Sequence, residues 1–254
     1  MTLAEIREAV AGGRRSYPRA VPRLRVRESG VRGLAFAGNV AHGLSQRLAA
    51  VGGGATLAGD RWVEWSFCMA RLAEGPGRTL DFGADVGFLS LAAAQRGHEV
   101  VALDRLAVAP AFDHERIEFL QADILDRPLP DQKFDQILNC SSVEHVGLAG
   151  RYGSTDQADG DLEAMMIMHE ALTPEGRMVM TVPVGQDLVC SPLHRIYGLD
   201  RLPRLLDGYG VEEQQFWQKR PGRSIWEQTD REAALATQGS ASFYALGLFV
   251  LTRG

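Results

Sequence analysis

Hydrophobic and polar positions alternate along this chain between two periods. Short apolar runs at residues 79–82, 99–103, 117–121, 134–140 and 177–182 predict five buried strands of a mostly parallel sheet. Between them the spacing turns helical: residues 88–96 and 199–206 read as helices, and 161–172 places Leu162, Met165, Met166 and Leu172 on one apolar side. Residues 211–217 and 244–252 predict a closing antiparallel pair, and the polar stretch 219–240 a long excursion or partly helical loop.

Upstream, 60–72 predicts a helix with Trp62 or Val63, Trp65 or Ser66, Met69 and Leu72 toward the core; Glu64, one helix away from the glycine turn, could reach a ligand, an exposed glutamate being the default. Residues 1–10 have a helical pattern with Thr2 as N-cap, and 17–54, rich in Pro, Gly and Arg, reads as an irregular extension packing over a ligand. Gly75-Pro76-Gly77 breaks the chain before the domain proper. The expected fold is α/β: a Rossmann-like, doubly wound, mostly parallel seven-stranded sheet with a terminal antiparallel hairpin and an N-terminal helical extension. Residues 1–74 form the extension or lid, and 75–254 the domain.

The stretch 79–104 is a βαβ unit. A glycine-bearing turn, Gly83 to Gly87, joins its first strand to its helix, so backbone can approach a ligand at a helix start. Asp104, ending the second strand, stands where a ribose diol is hydrogen-bonded. Asp81 at the first strand tip and Asp85 inside the turn would repel a pyrophosphate but suit a cationic sulfonium with an amino group. The chain lacks the GxxGxxG and Tyr-x-x-x-Lys of an NAD-dependent sugar epimerase or dehydrogenase, and a non-catalytic Rossmann binding subunit is the rival of another class.

Charge and cysteine content narrow the setting. A formal net charge of −5 argues against a nucleic-acid partner, although Arg14, Arg15, Arg19, Arg23, Arg25, Arg27 and Arg32 cluster near the start. Three distant cysteines, Cys68, Cys140 and Cys190, give neither a disulfide framework nor a metal knuckle, which fits a reducing cytoplasm. No apolar run reaches the length of a membrane span or a signal-peptide centre. A homodimer is compatible with this length, and no motif specifies one.

Two polar sites follow the later strands. Glu144 and His145 lie after the fourth, and His194 arrives from the loop after the fifth, at the same sheet edge. Three readings are open: a divalent centre of Glu144, His145 and His194, with Mg²⁺ or Mn²⁺ activating a substrate hydroxyl; His145 as metal-free general base oriented by Glu144 or Asp161; or a structural turn. The Gly-, Asp-, Tyr- and Arg-rich segments 147–161 and 183–206 suit a polyhydroxylated partner, with Tyr152 or Tyr197 stacking on a sugar face.

The turn Asp81-Phe82-Gly83-Ala84-Asp85-Val86-Gly87 resembles motif I of class I S-adenosylmethionine-dependent methyltransferases, an acid followed by GxGxG, with Asp85 in place of the middle glycine. The resemblance implies that Asp81, Gly83, Asp85 and Gly87 hold the methionine part, Asp104 the ribose and Asp123 the adenine amine, with Ile124 and Asn139 also in the donor pocket. Glu-His after strand four is similar to metal-binding small-molecule and RNA-end O-methyltransferases; here Ser141 replaces their earlier Glu, leaving Asp161 or water to complete a shell. The phrases VEHVGLxGRYG and HRIYGxxRLP, within 81–217, are similar to a bacterial DUF268-like group associated with polysaccharide biosynthesis. Together the resemblances imply methylation of a saccharide hydroxyl, a mycobacterial-type methylmannose oligosaccharide methyltransferase being one candidate.

Overall fold

The computed structural model describes residues 59–107, 110, 112–126, 129, 133–149, 156–220 and 225–254. The readings made for 1–10 and 17–54, including the arginine cluster, and for Tyr152 lie outside the described residues.

The apolar runs form strands β1 (Gly77–Phe82), β2 (His98–Asp104), β3 (Ile117–Gln121), β4 (Phe134–Cys140) and β5 (Leu172–Val184). They pair in parallel in the order β3-β2-β1-β4-β5. Chain order and space order reverse between β1 and β4, which opens a crevice at the carboxyl ends of these strands. The sheet continues antiparallel with β10 (Ala245–Arg253) between β5 and β8 (Tyr209–Lys219). An eighth strand, β9 (Trp226–Thr229), pairs antiparallel with the outer edge of β8. It arises within the stretch read as an excursion, because four residues were too few to show a period.

Strand side chains alternate between two cores. Leu80, Ile137, Met178 and Met180 face a layer closed by helix α3 (Gly160–Ala171), while Leu138 and Val179 face one closed by α1 (Asp60–Ala70) and α2 (Phe88–Gln95). Such side chains contribute roughly 1.5–3 kcal/mol each by leaving water. A separate two-stranded sheet, β6 (Leu188–Cys190) with β7 (His194–Ile196), follows β5, and short helices α4 (Arg201–Leu205) and α5 (Arg231–Leu235) complete the order. No helix among the described residues is long and apolar enough to cross a membrane.

Two helix faces differ from the reading of the periodicity. Met166 of α3 is exposed while Met165 and Met168 are buried. On α1 the buried stripe is Glu64, Phe67 and Cys68, and Trp62 is 82% exposed. A carboxylate was expected outside; tertiary hydrogen-bond donors turn it inward. Packing of Phe67 and Cys68 with Leu89, Leu138 and Val179 also builds α1 into the sheet domain.

Candidate functional site

A cavity of about 590 Å³ opens at the carboxyl ends of β1 to β4, with Gly83, Asp85, Asp104, Asp123, Ile124 and His145 in its wall. Backbone geometry shapes its floor. Gly83 has φ 74°, and a Cβ there would lie 2.1 Å from Ser142 Oγ, so only glycine permits the β1 turn and the loop after β4 to meet. Gly87 caps α2 at φ 78°. Asp85, at the middle-glycine position, adopts φ 48°, a left-handed conformation that Asp tolerates better than most residues.

The three strand-tip acids are placed differently. Asp81 is 3% exposed and takes a 2.6 Å hydrogen bond from Ser90 Oγ; burial pushes its carboxyl up to about 6. It reaches a small recess beside the main cavity whose wall also holds Arg61, Trp65 and Gly83. Asp104 accepts the Asp85 N–H at 3.0 Å on one oxygen and the Leu106 N–H at 2.8 Å on the other. Each oxygen retains a lone pair for a further donor. Asp123 accepts the Leu125 N–H at 3.0 Å and pairs with Arg105.

Asn139, expected in the donor pocket, is fully buried and absent from the cavity wall. Its Oδ1 accepts the Val143 N–H at 3.2 Å, fixing the 3-10 turn Val143–His145. Asp161, expected beside His145, is also fully buried. Tyr197 Oη donates to it at 3.1 Å, Arg201 Nε donates at 2.9 Å, and Arg195 Nε lies 3.6 Å away. This network joins α3 to the segment after β7 and removes Asp161 from the acceptor site.

His145 lines the cavity, and its Nδ1 lies 2.6 Å from the Leu193 carbonyl. A carbonyl only accepts, so Nδ1 carries the proton and Nε2 the lone pair. Nε2 is 3.8 Å from Glu144 Oε1. Glu144 itself is 2% exposed and outside the cavity wall, with Oε2 lacking a hydrogen-bond partner among the described residues. Burial, with the Glu64 charge adding to it, pushes its carboxyl up to about 8. His194 is buried, its ring edge-on to Tyr244 at 5.2 Å and to His145 at 6.4 Å.

These placements do not fit the expected divalent centre. Glu144 and His194 are both buried and outside the cavity wall, and the His194 ring centre lies 6.4 Å from that of His145. Among the described residues no three His, Cys, Asp or Glu side chains are grouped to hold a metal ion. Sequence reasoning also passed over Arg61, whose Nη1 donates to Glu64 at 2.9 Å from the wall of both cavities. Its signal in the sequence is weak, since an arginine three residues before a glutamate on a helix is a common surface pairing.

Comparison with known proteins bears on this arrangement. The family described as Caenorhabditis protein of unknown function, DUF268, matches residues 112–224. The Burkholderia thailandensis 1,6-didemethyltoxoflavin-N1-methyltransferase, solved with S-adenosylhomocysteine, superposes with a TM-score of 0.51 at 16% identity, over 92% of this chain and 94% of that one. The N-methyltransferase NodS of Bradyrhizobium japonicum WM9, also solved with S-adenosylhomocysteine, gives 0.51 at 14% identity, over 77% and 88%. The fold is that of class I S-adenosylmethionine-dependent methyltransferases. The chain is also 38% identical over 77 residues to the ribosomal RNA large subunit methyltransferase E of Wolbachia pipientis wMel, a match covering 28% of this chain. It spans 38% of the length of that relative.

Proposed function

We propose that this chain transfers the methyl group of S-adenosylmethionine to an acceptor hydroxyl, with His145 as general base and without a metal centre. The observation that carries the reading is the convergence on one cavity of the Gly83 turn, closed against Ser142, with acids from the tips of consecutive parallel strands. The residues fit the donor. Asp81 and Arg61 share the wall of one recess and offer opposite charges to an α-amino and an α-carboxylate group. Asp104 retains acceptor capacity for a ribose diol, and Ile124 gives the adenine an apolar wall beside Asp123.

When bound, the donor supplies an electrophilic methyl on a sulfonium. The protein's part is to position the acceptor in line and take its proton. The Leu193 carbonyl fixes the His145 tautomer that leaves Nε2 basic, so proton removal at neutral pH falls to that atom. Glu144, neutral below about pH 8, lies 3.8 Å from that same nitrogen and does not compete for the proton as a carboxylate would.

A saccharide hydroxyl is the acceptor class to test first, supported by the resemblance of the second half to polysaccharide-associated proteins. Stacking by Tyr197 does not support it, since that ring is fully buried and bonded to Asp161. Calorimetry with S-adenosylmethionine, S-adenosylhomocysteine and NAD(H) tests the donor: tight NAD(H) binding and none of the sulfonium ends the reading. Labelled-methyl transfer to saccharide acceptors tests the chemistry, with His145→Ala expected to lower turnover by about 10²–10⁴-fold. Donor binding without transfer to any acceptor would favour the non-catalytic binding subunit.

A further inference from the structure

Glu64 is 1% exposed, yet its carboxylate meets three donors from three elements. Arg61 Nη1 reaches Oε2 at 2.9 Å, Thr181 Oγ1 on β5 reaches Oε1 at 2.9 Å, and Ser141 Oγ at the tip of β4 donates to the same Oε1. Two of those partners, Arg61 and Ser141, lie in the cavity wall; Glu64 does not. Ser141 holds φ 49°, a left-handed backbone that serine seldom adopts. Its N–H is tied to the Thr181 carbonyl at 2.9 Å, so hydroxyl and amide are both anchored where Glu64 meets β5. The next residue, Ser142, closes over Gly83.

We propose that Glu64 is a positioning residue for the methyl-donor site: one buried carboxylate fixes the Arg61 guanidinium over the recess and holds Ser141 in the left-handed turn that brings Ser142 onto Gly83. The inference rests on the donor reading above. Its physical basis is acceptor count. A carboxylate accepts on two oxygens, whereas the amide of glutamine accepts on one and donates from the other end, so Glu64→Gln keeps the hydroxyls or the guanidinium but not both. Glycine at 141 adopts φ near 50° unaided and should not need the carboxylate to hold the turn.

The test is calorimetric titration with S-adenosylhomocysteine, run on variants shown folded by circular dichroism. Wild-type binding decides the donor reading by itself. Given that binding, Glu64→Gln should weaken it roughly tenfold, and so should Arg61→Gln. The double variant should be within about twofold of the weaker single, because the two act as one unit. Adding Ser141→Gly to Glu64→Gln should recover severalfold of the affinity. Binding by Glu64→Gln within about twofold of wild type, or additive losses in the double variant, overturns the proposal and leaves the donor reading standing. If Glu64→Gln fails to fold, the contrast at 141 decides: Ser141→Ala should bind severalfold more weakly than Ser141→Gly, and equal affinities overturn the proposal.

Discussion

The guanidinium of Arg195, 1% exposed, donates to the carbonyl of Val146 at 2.5 Å and so fastens β7 to the loop that carries the cavity wall. The same side chain reaches the carbonyls of Gln157 at 3.1 Å and Ala158 at 3.3 Å, and its Nε faces Asp161. Arg195 of the HRIYGxxRLP phrase therefore ties Val146 of the VEHVGLxGRYG phrase to the residues just before α3. Arg195→Met should cost about 1–3 kcal/mol, since it leaves the Val146 carbonyl without its donor, while Gln157 keeps the Gly160 N–H, Ala158 keeps Arg201, and Asp161 keeps Tyr197 and Arg201. Arg195→Lys should recover little of that, a point charge being unable to span the fork. Urea unfolding of the three proteins checks both values.

Gly83 and Ser142 define a second contact. Gly83→Ala should abolish measurable S-adenosylhomocysteine binding, because the new Cβ meets Ser142 Oγ and Cβ, at 2.1 Å and 2.5 Å. Its φ of 74° adds roughly 1–2 kcal/mol of backbone strain. Pairing Gly83→Ala with Ser142→Gly removes both colliding atoms and should restore part of the affinity. No recovery in the double variant would show that strain alone is responsible.

Asp81 should make donor binding depend on pH. Its carboxyl is pushed up to about 6 by burial, against the Ser90 hydrogen bond, so affinity for the ammonium of S-adenosylhomocysteine should fall as pH drops through about 6. The folded value exceeds the unfolded one, so this group's protonated form favours folding. Stability is highest below about pH 4 and is lost as pH rises to about 6. Asp81→Asn should therefore bind roughly tenfold more weakly at neutral pH, with a flatter pH profile, while melting higher than wild type.

Glu144 gives the same sign over a wider window. Its folded value near 8 lies above the unfolded carboxyl's, so its contribution falls steadily from about pH 4 to about pH 8, on the order of 4 kcal/mol in all. Glu144→Gln removes that slope. Urea midpoints of variant and wild type should be similar near pH 5 and separate in the variant's favour by about pH 8.5. An unchanged difference across the range would contradict a buried neutral acid.

Added Mg²⁺ or Mn²⁺ should not raise the melting temperature, and EDTA should not lower transfer to any acceptor found. This follows from the placement of the donors: Glu144 and His194 lie outside the cavity wall, and among the described residues no three His, Cys, Asp or Glu side chains are grouped. A metal-dependent rise in melting that His145→Ala abolishes would restore the divalent centre.

Apolar runs of strand length made β1 to β5 legible, and the βαβ unit with its glycines located the cavity floor. Side-chain direction at the ends of elements was less legible. Asn139 and Asp161 stood at expected places along the chain, yet both turn inward to partners distant in sequence, Asn139 to Val143 and Met165, Asp161 to Arg195, Tyr197 and Arg201. Glu64 was placed outside because a carboxylate on a helix is usually solvated. Its three donors come from α1, β4 and β5, which periodicity in one segment cannot bring together.

By itself the amino-acid sequence determined the α/β class, the parallel strands and the acids at their tips, because hydrophobic period and glycine placement act over a few residues. Only the tertiary structure decided which of those acids face the cavity, which are sealed behind it, and that Glu144, His145 and His194 do not form one centre. The reason is that a polar side chain leaving water must find donors or acceptors, and in this protein those partners lie on other strands and helices.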